Sequence, residues 1–365
     1  MNNYSFLMAD TIRRRFPDPD SFPYRSWTYP QGFMLWGFIR LFEKTGDAAF
    51  RDYVLSFCEH HVTPDGLIPA FTGESLDDMM TGSVLVWAFS HTNEEKYRLA
   101  CQHIRRSFDD YPRNPDNGFW HGRHLPGEMW IDGLFMGLMF LTRYGAVFGD
   151  EEYCYNETIQ QLTVAFERCE KDGSGLLYHA YCENRQISWA HPITGKSSEI
   201  WCEGLGWYAM ILPEVLSLIP KSWPGRDKLE YQLLKLIDGL ERVQDPSSGL
   251  WLQVVDKPGY PRNWHDSSGS AMFTWTIKKA ELLTHAGLLD RIHPEKCHKI
   301  AQKAFHGLKT KCIPDMEGNA NIYDACDGLC VQDHYDIYVD YLRNVNSKEA
   351  VAAFFWASII MEYGK

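Results

Sequence analysis

The stretch EMWIDGLFMGLMFLTRYG at residues 128–145 predicts a long helix buried in the interior of the protein. It is apolar nearly all round, which is typical of a helix that other elements surround. One carboxylate, Asp132, interrupts the apolar run between Trp130 and Leu141. The apolar run therefore predicts an inner helix of the fold. Because an ionised carboxylate inside a core is costly unless it is paired or hydrogen-bonded, Asp132 also marks a candidate site.

Five further segments share its pattern of a small residue followed by an apolar, aromatic-rich run. The six segments are 29–46, 76–92, 128–145, 199–219, 265–287 and 347–364, and their small residues are Gly32, Gly82, Gly133, Gly204, Gly269 and Ala352. Amphipathic segments separate them, at 47–61, 94–108, 150–170, 225–243 and 294–310, and residues 4–15 supply a sixth. Six buried helices alternating with six amphipathic ones predict an all-α fold, an (α/α)6 barrel in which six outer helices enclose a toroid of six inner ones.

The connections between these helices also repeat. Several contain Asp, Asn or Ser followed by Gly and a short aromatic run, which predicts short hairpins. In a toroid these connections meet at the end where the inner helices begin. They would bring His121 and His179 to one rim, together with Asp77, Asp78 and Asp132 from the starts of two inner segments.

The composition argues against several classes of function. The net charge is −12 without a Lys/Arg-rich block, so neither nucleic acid nor an anionic membrane is an expected partner. No run of about 18 apolar residues indicates a membrane span, and the N-terminal residues lack the apolar segment of a signal peptide. The ten cysteines have no C-x-x-C spacing, which favours buried reduced thiols and a cytoplasmic protein. No Pro/Gly/Ser-rich linker divides the chain, so we predict one domain over residues 1–365, as a monomer or a dimer.

The carboxylates have two interpretations. Asp132 is either an N-cap or first-turn residue stabilised by the helix dipole, or an acid whose pKa desolvation raises towards proton donation. Asp77 and Asp78 are open to the same choice. Since adjacent residues point about 100° apart on a helix, only one of them can face the axis, and we favour Asp77.

The aromatic residues and histidines also allow a structural interpretation beside a functional one. Tyr29, Trp130, Trp201 and Trp207 lie near the starts of inner segments, where they are either core residues or the wall of a sugar-stacking pocket. His121 and His179 occupy similar points of the repeat, which favours a shared role over two unrelated structural ones. A metal site is a weak alternative, because no two ligands stand four residues apart as in a zincin helix. The connections also hold basic residues that could pair with an anion, namely Arg123, Arg185, Lys196 and Arg262.

Several blocks resemble the unsaturated uronyl hydrolases of glycoside hydrolase families 88 and 105, especially the unsaturated rhamnogalacturonyl hydrolases. The blocks are GFWHG (118–122), EMWIDGLFMGLMFL (128–141), LDDMMTG (76–82), LLYHAY (176–181), WCEGLGW (201–207) and DSSGSAMF (266–273). They follow the order of the family and cover nearly the whole chain, and MWIDGLFM is the most specific of them. The resemblance implies an (α/α)6 barrel without a metal or organic cofactor.

The resemblance also implies a reaction on an oligosaccharide whose non-reducing end carries a 4,5-unsaturated uronic acid. Such enzymes hydrate the C4=C5 vinyl ether, and the resulting hemiketal opens and expels the remaining sugar. Asp132 would be the general acid and base, and Asp77 the second carboxylate. His121 and His179 would contact the sugar or its carboxylate, and Trp130, Trp201 and Trp207 would form the pocket wall.

Position 203 departs from the family pattern. The family block usually reads Trp-x-Arg-Gly-x-Gly-Trp, with an Arg that helps to hold the anionic sugar, and this chain has Glu203 there. A charged Glu would repel a uronate, so either another base replaces the Arg, or the sugar differs, or Glu203 itself contacts sugar hydroxyls or takes part in catalysis. Two alternative functions therefore stay open, a conventional two-carboxylate glycosidase acting on neutral saturated sugars and a non-catalytic sugar-binding protein.

Overall fold

The computed structural model describes residues 3–364 and contains two concentric sets of helices. The inner helices are α2 (Tyr29–Thr45), α4 (Gly82–Thr92), α6 (Ile131–Phe148), α8 (Cys202–Leu216), α10 (Ser267–His285) and α13 (Lys348–Tyr363). The outer helices are α1 (Tyr4–Arg15), α3 (Ala48–His61), α5 (Glu95–Arg106), α7 (Glu151–Cys169), α9 (Arg226–Val243) and α11 (Pro294–Lys311). A further short helix, α12 (Tyr335–Asp340), lies in the last connection.

The inner helices form a closed ring. Each packs against the next, and α13 closes the ring by packing against α2. Helix α1 lies against α13 as the sixth outer member. The (α/α)6 barrel predicted from the repeat is therefore confirmed.

The burial of each helix follows its sequence pattern. Every residue of α8 is buried, as expected for a helix that is apolar all round. Outer helix α5 instead buries Tyr97, Ala100, Cys101 and Ile104, a stripe with the spacing of one helix face, and exposes charged residues on the other. The difference assigns each helix to the inner or the outer layer.

Helix α6 is long and apolar enough to cross a bilayer by length and composition alone. However, 72% of it is buried inside the protein, because its neighbours α4, α7 and α8 cover it. Its hydrophobicity reflects its place in the inner ring.

Short antiparallel strands lie at the rim where the inner helices begin. The pairs are β1 (Glu128–Trp130) with β2 (Ala180–Cys182), β3 (Trp251–Leu252) with β4 (His265–Asp266), β5 (Cys312–Pro314) with β6 (Ala320–Ile322), and β7 (Ala325–Cys326) with β8 (Arg343–Asn344). Strands β1 and β2 belong to successive connections, with Trp130 opposite Ala180. Isolated bridges join Ser75 to Gly122 and Trp201 to Val254. Backbone pairing therefore links neighbouring repeats around the rim and holds their connections in register.

One inner segment begins differently from the sequence expectation. Residues 76–78 form a single 3-10 turn, and α4 starts only at Gly82. The Ser75 side chain accepts a hydrogen bond from the Asp77 N–H (3.2 Å) and so caps this turn. Asp77 and Asp78 therefore lie in a turn before the helix.

The cysteines also differ slightly from expectation. All ten are unpaired, and nine of them are buried as predicted. Cys330 is exposed, in the connection between β7 and α12. The prediction of buried thiols is therefore wrong for this one residue.

Candidate active site

Asp132 is the second residue of α6, and the imidazole of His179 lies beside it. Asp132 Oδ2 is 3.9 Å from His179 Nε2. The Ile131 N–H donates to the His179 carbonyl (3.1 Å), so backbone pairing fixes the histidine at the start of α6. On the other side of the ring, His179 Nδ1 is 2.9 Å from the Tyr338 hydroxyl. Tyr338 carried no sequence signal, because it lies in the short helix α12, outside the repeat.

The pair of Asp77 and His121 repeats this arrangement one unit earlier. Asp77 Oδ2 is 3.7 Å from His121 Nε2. The His121 carbonyl accepts from the Leu76 N–H (3.0 Å), while its N–H donates to the Glu128 carbonyl (2.7 Å). In both pairs, a carboxylate before or at the start of one inner helix meets a histidine from the connection to the next. The structure thus brings together the four residues that the repeat placed at one rim.

Trp130 lies between the two histidines. Its ring stacks on His121, with centroids 4.2 Å apart and an angle of 19°, and meets His179 edge-on at 5.9 Å. The indole N–H donates to Glu128 Oε2 (2.9 Å), which fixes the ring. Trp130 therefore couples the orientations of the two imidazoles.

Glycine at the third position of α6 and α8 allows the histidines to approach. A Cβ at Gly133 would stand 2.4 Å from His121 Nδ1, and one at Gly204 would stand 2.6 Å from the Trp201 ring and 3.4 Å from His179 Cδ2. These glycines are small residues of the sequence repeat. Their function is to leave room for an imidazole over the start of the helix.

The electrostatics of Asp132 differ from the sequence expectation. Burial raises the pKa of Asp132, but His179, His121 and the Gly133 N–H lower it by more, so that it lies below its ordinary value. The predicted rise from desolvation is therefore wrong for the free protein, where the carboxyl is ionised at neutral pH. Burial lowers the pKa of His121, whereas Asp77, Asp132 and Glu128 raise it to a net value above the ordinary one.

The side chain of Asp78 is engaged in hydrogen bonds of its own. Its Oδ2 accepts hydrogen bonds from the Thr72 hydroxyl (2.5 Å) and the Glu74 N–H (3.2 Å). Its carbonyl accepts from the Trp27 indole (2.9 Å). Asp78 thus stabilises the turn through Oδ2, and its contact with substrate stays a prediction.

The other predicted aromatic residues lie at different depths. Trp201 and Trp207 are only 1% and 2% exposed, so neither offers a ring face to a sugar. Trp201 instead packs on His179 with centroids 4.6 Å apart, and Trp207 packs on Phe33 at 4.5 Å. Their predicted role as a pocket wall is therefore corrected to packing beneath the site. Tyr29 is half-buried above Trp207, and its hydroxyl donates to Glu349 Oε1 (2.6 Å).

Glu203 is fully buried, in surroundings that disfavour a negative charge. Its Oε2 accepts from the Ser268 hydroxyl (2.7 Å), and Ser268 also contacts Asp266. Burial and the charges of Glu349 and Asp266 raise the pKa of Glu203 well above the usual carboxyl range. Burial therefore favours the neutral form of the carboxyl, which weakens the repulsion expected between Glu203 and a uronate.

Glu349 is a further polar residue of this region that the sequence argument missed. Asp132, Glu203, Ser268 and Glu349 are each the second residue of an inner helix. The small residues that follow them are Gly133, Gly204, Gly269 and Ala350. Anchoring the last repeat on Ala352 shifted it by two residues, whereas an alignment on Ala350 would have revealed Glu349.

The basic residues of the connections are mostly engaged elsewhere. Arg123 pairs with Asp110, and Arg262 with Asp336 and Asp340. The Lys196 ammonium donates to the Glu170 carbonyl (2.5 Å). Arg185 is exposed. Across residues 3–364, no three His, Cys, Asp or Glu side chains are grouped as metal ligands would be.

Comparison with known proteins agrees with this fold. The model of Glycosyl Hydrolase Family 88 matches residues 5–363. A solved family 105 glycoside hydrolase from C. acetobutylicum superposes with a TM-score of 0.91, at 29% identity over 99% of both chains. Protein Atu3128 of Agrobacterium fabrum is 34% identical over 188 residues, 51% of this chain and 78% of that protein. The unsaturated rhamnogalacturonyl hydrolase YesR of Bacillus subtilis is 23% identical over 239 residues, 64% of this chain and 65% of that enzyme. This chain is a glycoside hydrolase, and it belongs to glycosyl hydrolase family 88.

Proposed function

We propose that this enzyme removes a 4,5-unsaturated uronic acid from the non-reducing end of oligosaccharides produced by polysaccharide lyases. A proton adds to C4 of the vinyl ether and water adds to C5, which gives a hemiketal. The hemiketal opens to a ketone at C5, and C1 then releases the remaining sugar. The name of its relative YesR, an unsaturated rhamnogalacturonyl hydrolase, supports this substrate class.

The observation that carries the proposal is the position of Asp132. Its carboxylate stands beside His179 and Trp130 at the start of α6, and the side chain is 14% exposed. Its Oδ1 is buried and has no hydrogen-bond partner in the described part of the chain. A general acid and base needs such an uncommitted oxygen directed at the reacting atoms. Asp77, which is partly exposed beside His121, is the second carboxylate and would orient the water or the sugar hydroxyls.

Substrate binding supplies the proton that the first step needs. Asp132 is ionised in the free protein, because its imidazole neighbours favour the charged form. A bound uronate adds a second negative charge nearby, which raises the carboxyl pKa and favours uptake of a proton. Asp132 takes this proton from solvent, donates it to C4, recovers one from the attacking water, and returns that proton to solvent when the product leaves.

An ultraviolet assay tests the proposal, because hydration removes the absorbance of the conjugated double bond. We expect the signal of an unsaturated rhamnogalacturonan disaccharide to decay with the wild-type protein. Asp132→Asn should lower the rate by about 10²-fold or more, the loss typical of a removed acid–base group. Asp78→Asn is the matched control and should keep most activity.

The same assay distinguishes the alternatives. Glycosaminoglycan and ulvan-type unsaturated disaccharides define the substrate, and saturated sugars test for a conventional glycosidase. Release of reducing ends from saturated sugars, with unchanged absorbance across the unsaturated panel, would contradict the proposed reaction.

We also propose that the enzyme acts in the cytoplasm on small oligosaccharides. Its ten unpaired cysteines suit a reducing compartment. Fractionation of the producing cells should recover the protein with cytoplasmic markers, and recovery with secreted or surface fractions would contradict this location.

A further inference from the structure

The proposed substrate carries a carboxylate, which requires a basic group in the protein. Charge-assisted hydrogen bonds from Lys or Arg are the usual means of binding a carboxylate. Arg123 and Arg262 pair with carboxylates elsewhere in the connections. The inference developed below rests on the proposed function and concerns which residue binds the uronate.

Lys348 is the basic residue that lies among the polar groups of the inner helix starts. It is the first residue of α13, and its side chain is 17% exposed. Its ammonium is 2.9 Å from Asp327 Oδ1 and 2.9 Å from Glu349 Oε1. The same Glu349 oxygen accepts from the Tyr29 hydroxyl, so Lys348, Glu349 and Tyr29 form one cluster.

A short segment connects this cluster to the catalytic carboxylates. A Cβ on Gly328 would lie 3.3 Å from the Tyr29 hydroxyl and 3.6 Å from the Lys348 ammonium. Three residues further on, Val331 packs in the apolar cluster of Trp130. An extended chain covers at most about 11 Å over three residues. The Lys348 cluster and the Trp130 cluster therefore lie near each other at the same rim. Burial and the charges of Glu349 and Asp77 raise the pKa of Tyr29, which places this cluster close to the carboxylate of Asp77 as well.

The partners of Lys348 leave part of its charge available. Burial raises the pKa of Glu349, although Lys348 and the Tyr29 hydroxyl lower it in part. The Asp327 carboxylate is partly exposed, so water screens its attraction for the ammonium. The N-terminal end of α13 adds a positive potential at the same point.

We propose that the ammonium of Lys348 binds the carboxylate of the unsaturated uronate and makes this residue the determinant of specificity for an acidic sugar. Tyr29 and Glu349 hold Lys348 in position, and the uronate then lies between Lys348 and Asp132.

The test compares an unsaturated disaccharide with its uronate methyl ester, which has the same shape without the charge. We expect the wild-type protein to favour the acid by about 10- to 100-fold in kcat/KM, the range of a charge-assisted hydrogen bond. Lys348→Met should raise KM for the acid by that factor, leave kcat nearly unchanged, and abolish the preference over the ester. Lys348→Arg should restore most of the preference.

Two control variants distinguish the charge of Lys348 from its ion pair with Asp327 and from the general effect of removing a lysine at the rim. Asp327→Asn breaks the same ion pair but retains the ammonium, so it should keep the preference for the acid. Lys257→Met removes a rim lysine that pairs with Glu199 and should also keep it. A Lys348→Met protein that still favours the acid would overturn the inference, as would loss of the preference in Lys257→Met.

Binding measurements keep this test separate from the proposed reaction. The affinities of the acid and the ester are measured by calorimetry with Asp132→Asn and with the double variant Asp132→Asn, Lys348→Met. A preference for the acid that disappears in the double variant supports Lys348 even if the reaction differs. Equal affinities of Asp132→Asn for acid and ester would contradict the role of Lys348, whatever the outcome of the absorbance assay.

Discussion

At the scale of single residues, the two carboxylates of the LDDMMTG block show how much side-chain direction decides. Asp77 stands 3.7 Å from His121, whereas Asp78 turns away to Thr72 and Glu74. Asp77 is also the largest of the charges that raise the pKa of His121. The neighbours are therefore a natural matched pair, since each can lose its charge without a change of shape.

We predict that Asp77→Asn lowers the pKa of His121 and that Asp78→Asn leaves it nearly unchanged. In the wild-type protein the raised pKa means that the imidazolium form persists above the pH at which an ordinary His titrates. Its stabilising contribution is full below the unfolded pKa of about 6.5 and is lost as the pH rises through the folded value. A titration of labelled imidazole signals by NMR measures the two shifts. Equal titration midpoints of His121 in the two variants would contradict the pairing of His121 with Asp77.

The sequence favoured Asp77 over Asp78 for a reason that the structure replaces. Adjacent residues of a helix point about 100° apart, yet residues 76–78 form a 3-10 turn capped by Ser75. In this turn, too, the two side chains point in different directions, and Asp77 is the one that lies beside His121. The bonds of Asp78 to Thr72 and Glu74 could not be predicted, since they depend on the path of the preceding loop.

At the scale of elements, the small residue at the third position of an inner helix determines how closely the side chains of the site can approach that helix. Gly133 lies under His121, and Gly204 lies under Trp201 and close to His179. The sequence repeat identified both glycines and the helices that they begin. It could not show that Asp132, Glu203, Ser268 and Glu349 share one helical position, because Ala350 and Ala352 are equally small.

We predict that Gly133→Ala displaces His121 and lowers kcat/KM by about tenfold or more, since a misplaced group near the reacting atoms is costly. Its Cβ would stand 2.4 Å from the imidazole, closer than any real contact allows. Gly137→Ala, one turn later, would meet the flexible Leu76 side chain at 3.1 Å and the Phe108 ring at 3.7 Å. This control should retain activity, and helix propensity favours it by up to about 1 kcal/mol. Activity and melting temperature, measured together, distinguish displacement from unfolding, and full activity in Gly133→Ala would contradict the positioning role.

At the scale of the whole molecule, the two ends of the inner ring carry different ionisable groups. Carboxyl groups collect at the starts of the inner helices, where the helix dipoles are positive. Towards the other end, Arg40 of α2 and Arg143 of α6 both pair with Glu214 of α8. Arg40 also lies 4.1 Å from the Trp356 ring, and Arg143 lies 4.4 Å from Trp36. This cluster ties four inner helices together and was invisible to sequence analysis, because its members are far apart in the chain.

The closed ring itself was predictable because hydrophobicity alone distinguishes inner from outer helices. The pairing of strands β1 and β2 was not, since each strand has three residues and its partner lies some fifty residues away. The sequence thus predicted which residues reach the rim, and the structure adds the backbone pairing that sets their distances.

We predict that lowering the pH destabilises the end of the barrel opposite the rim, because Glu214 loses its charge there. Burial raises the pKa of Glu214, but Arg40, Arg143 and Lys279 lower it by more, to about 2. A depressed folded pKa contributes stability that is present above the ordinary value of about 4.5 and is lost as the pH falls towards 2. A shift of this size corresponds to roughly 3 kcal/mol.

Glu214→Gln removes this contribution and leaves two buried guanidinium groups without a counter-charge, at a cost on the order of 3–5 kcal/mol. Chemical denaturation at pH 7 should show that loss, and the variant should depend less on pH between about 4.5 and 2 than the wild type. Glu95→Gln, which breaks an exposed pair with Arg98, should change little. If Glu214→Gln retained wild-type stability at pH 7, the cluster would be incidental to the ring, and the inner helices would be held together by their apolar contacts alone.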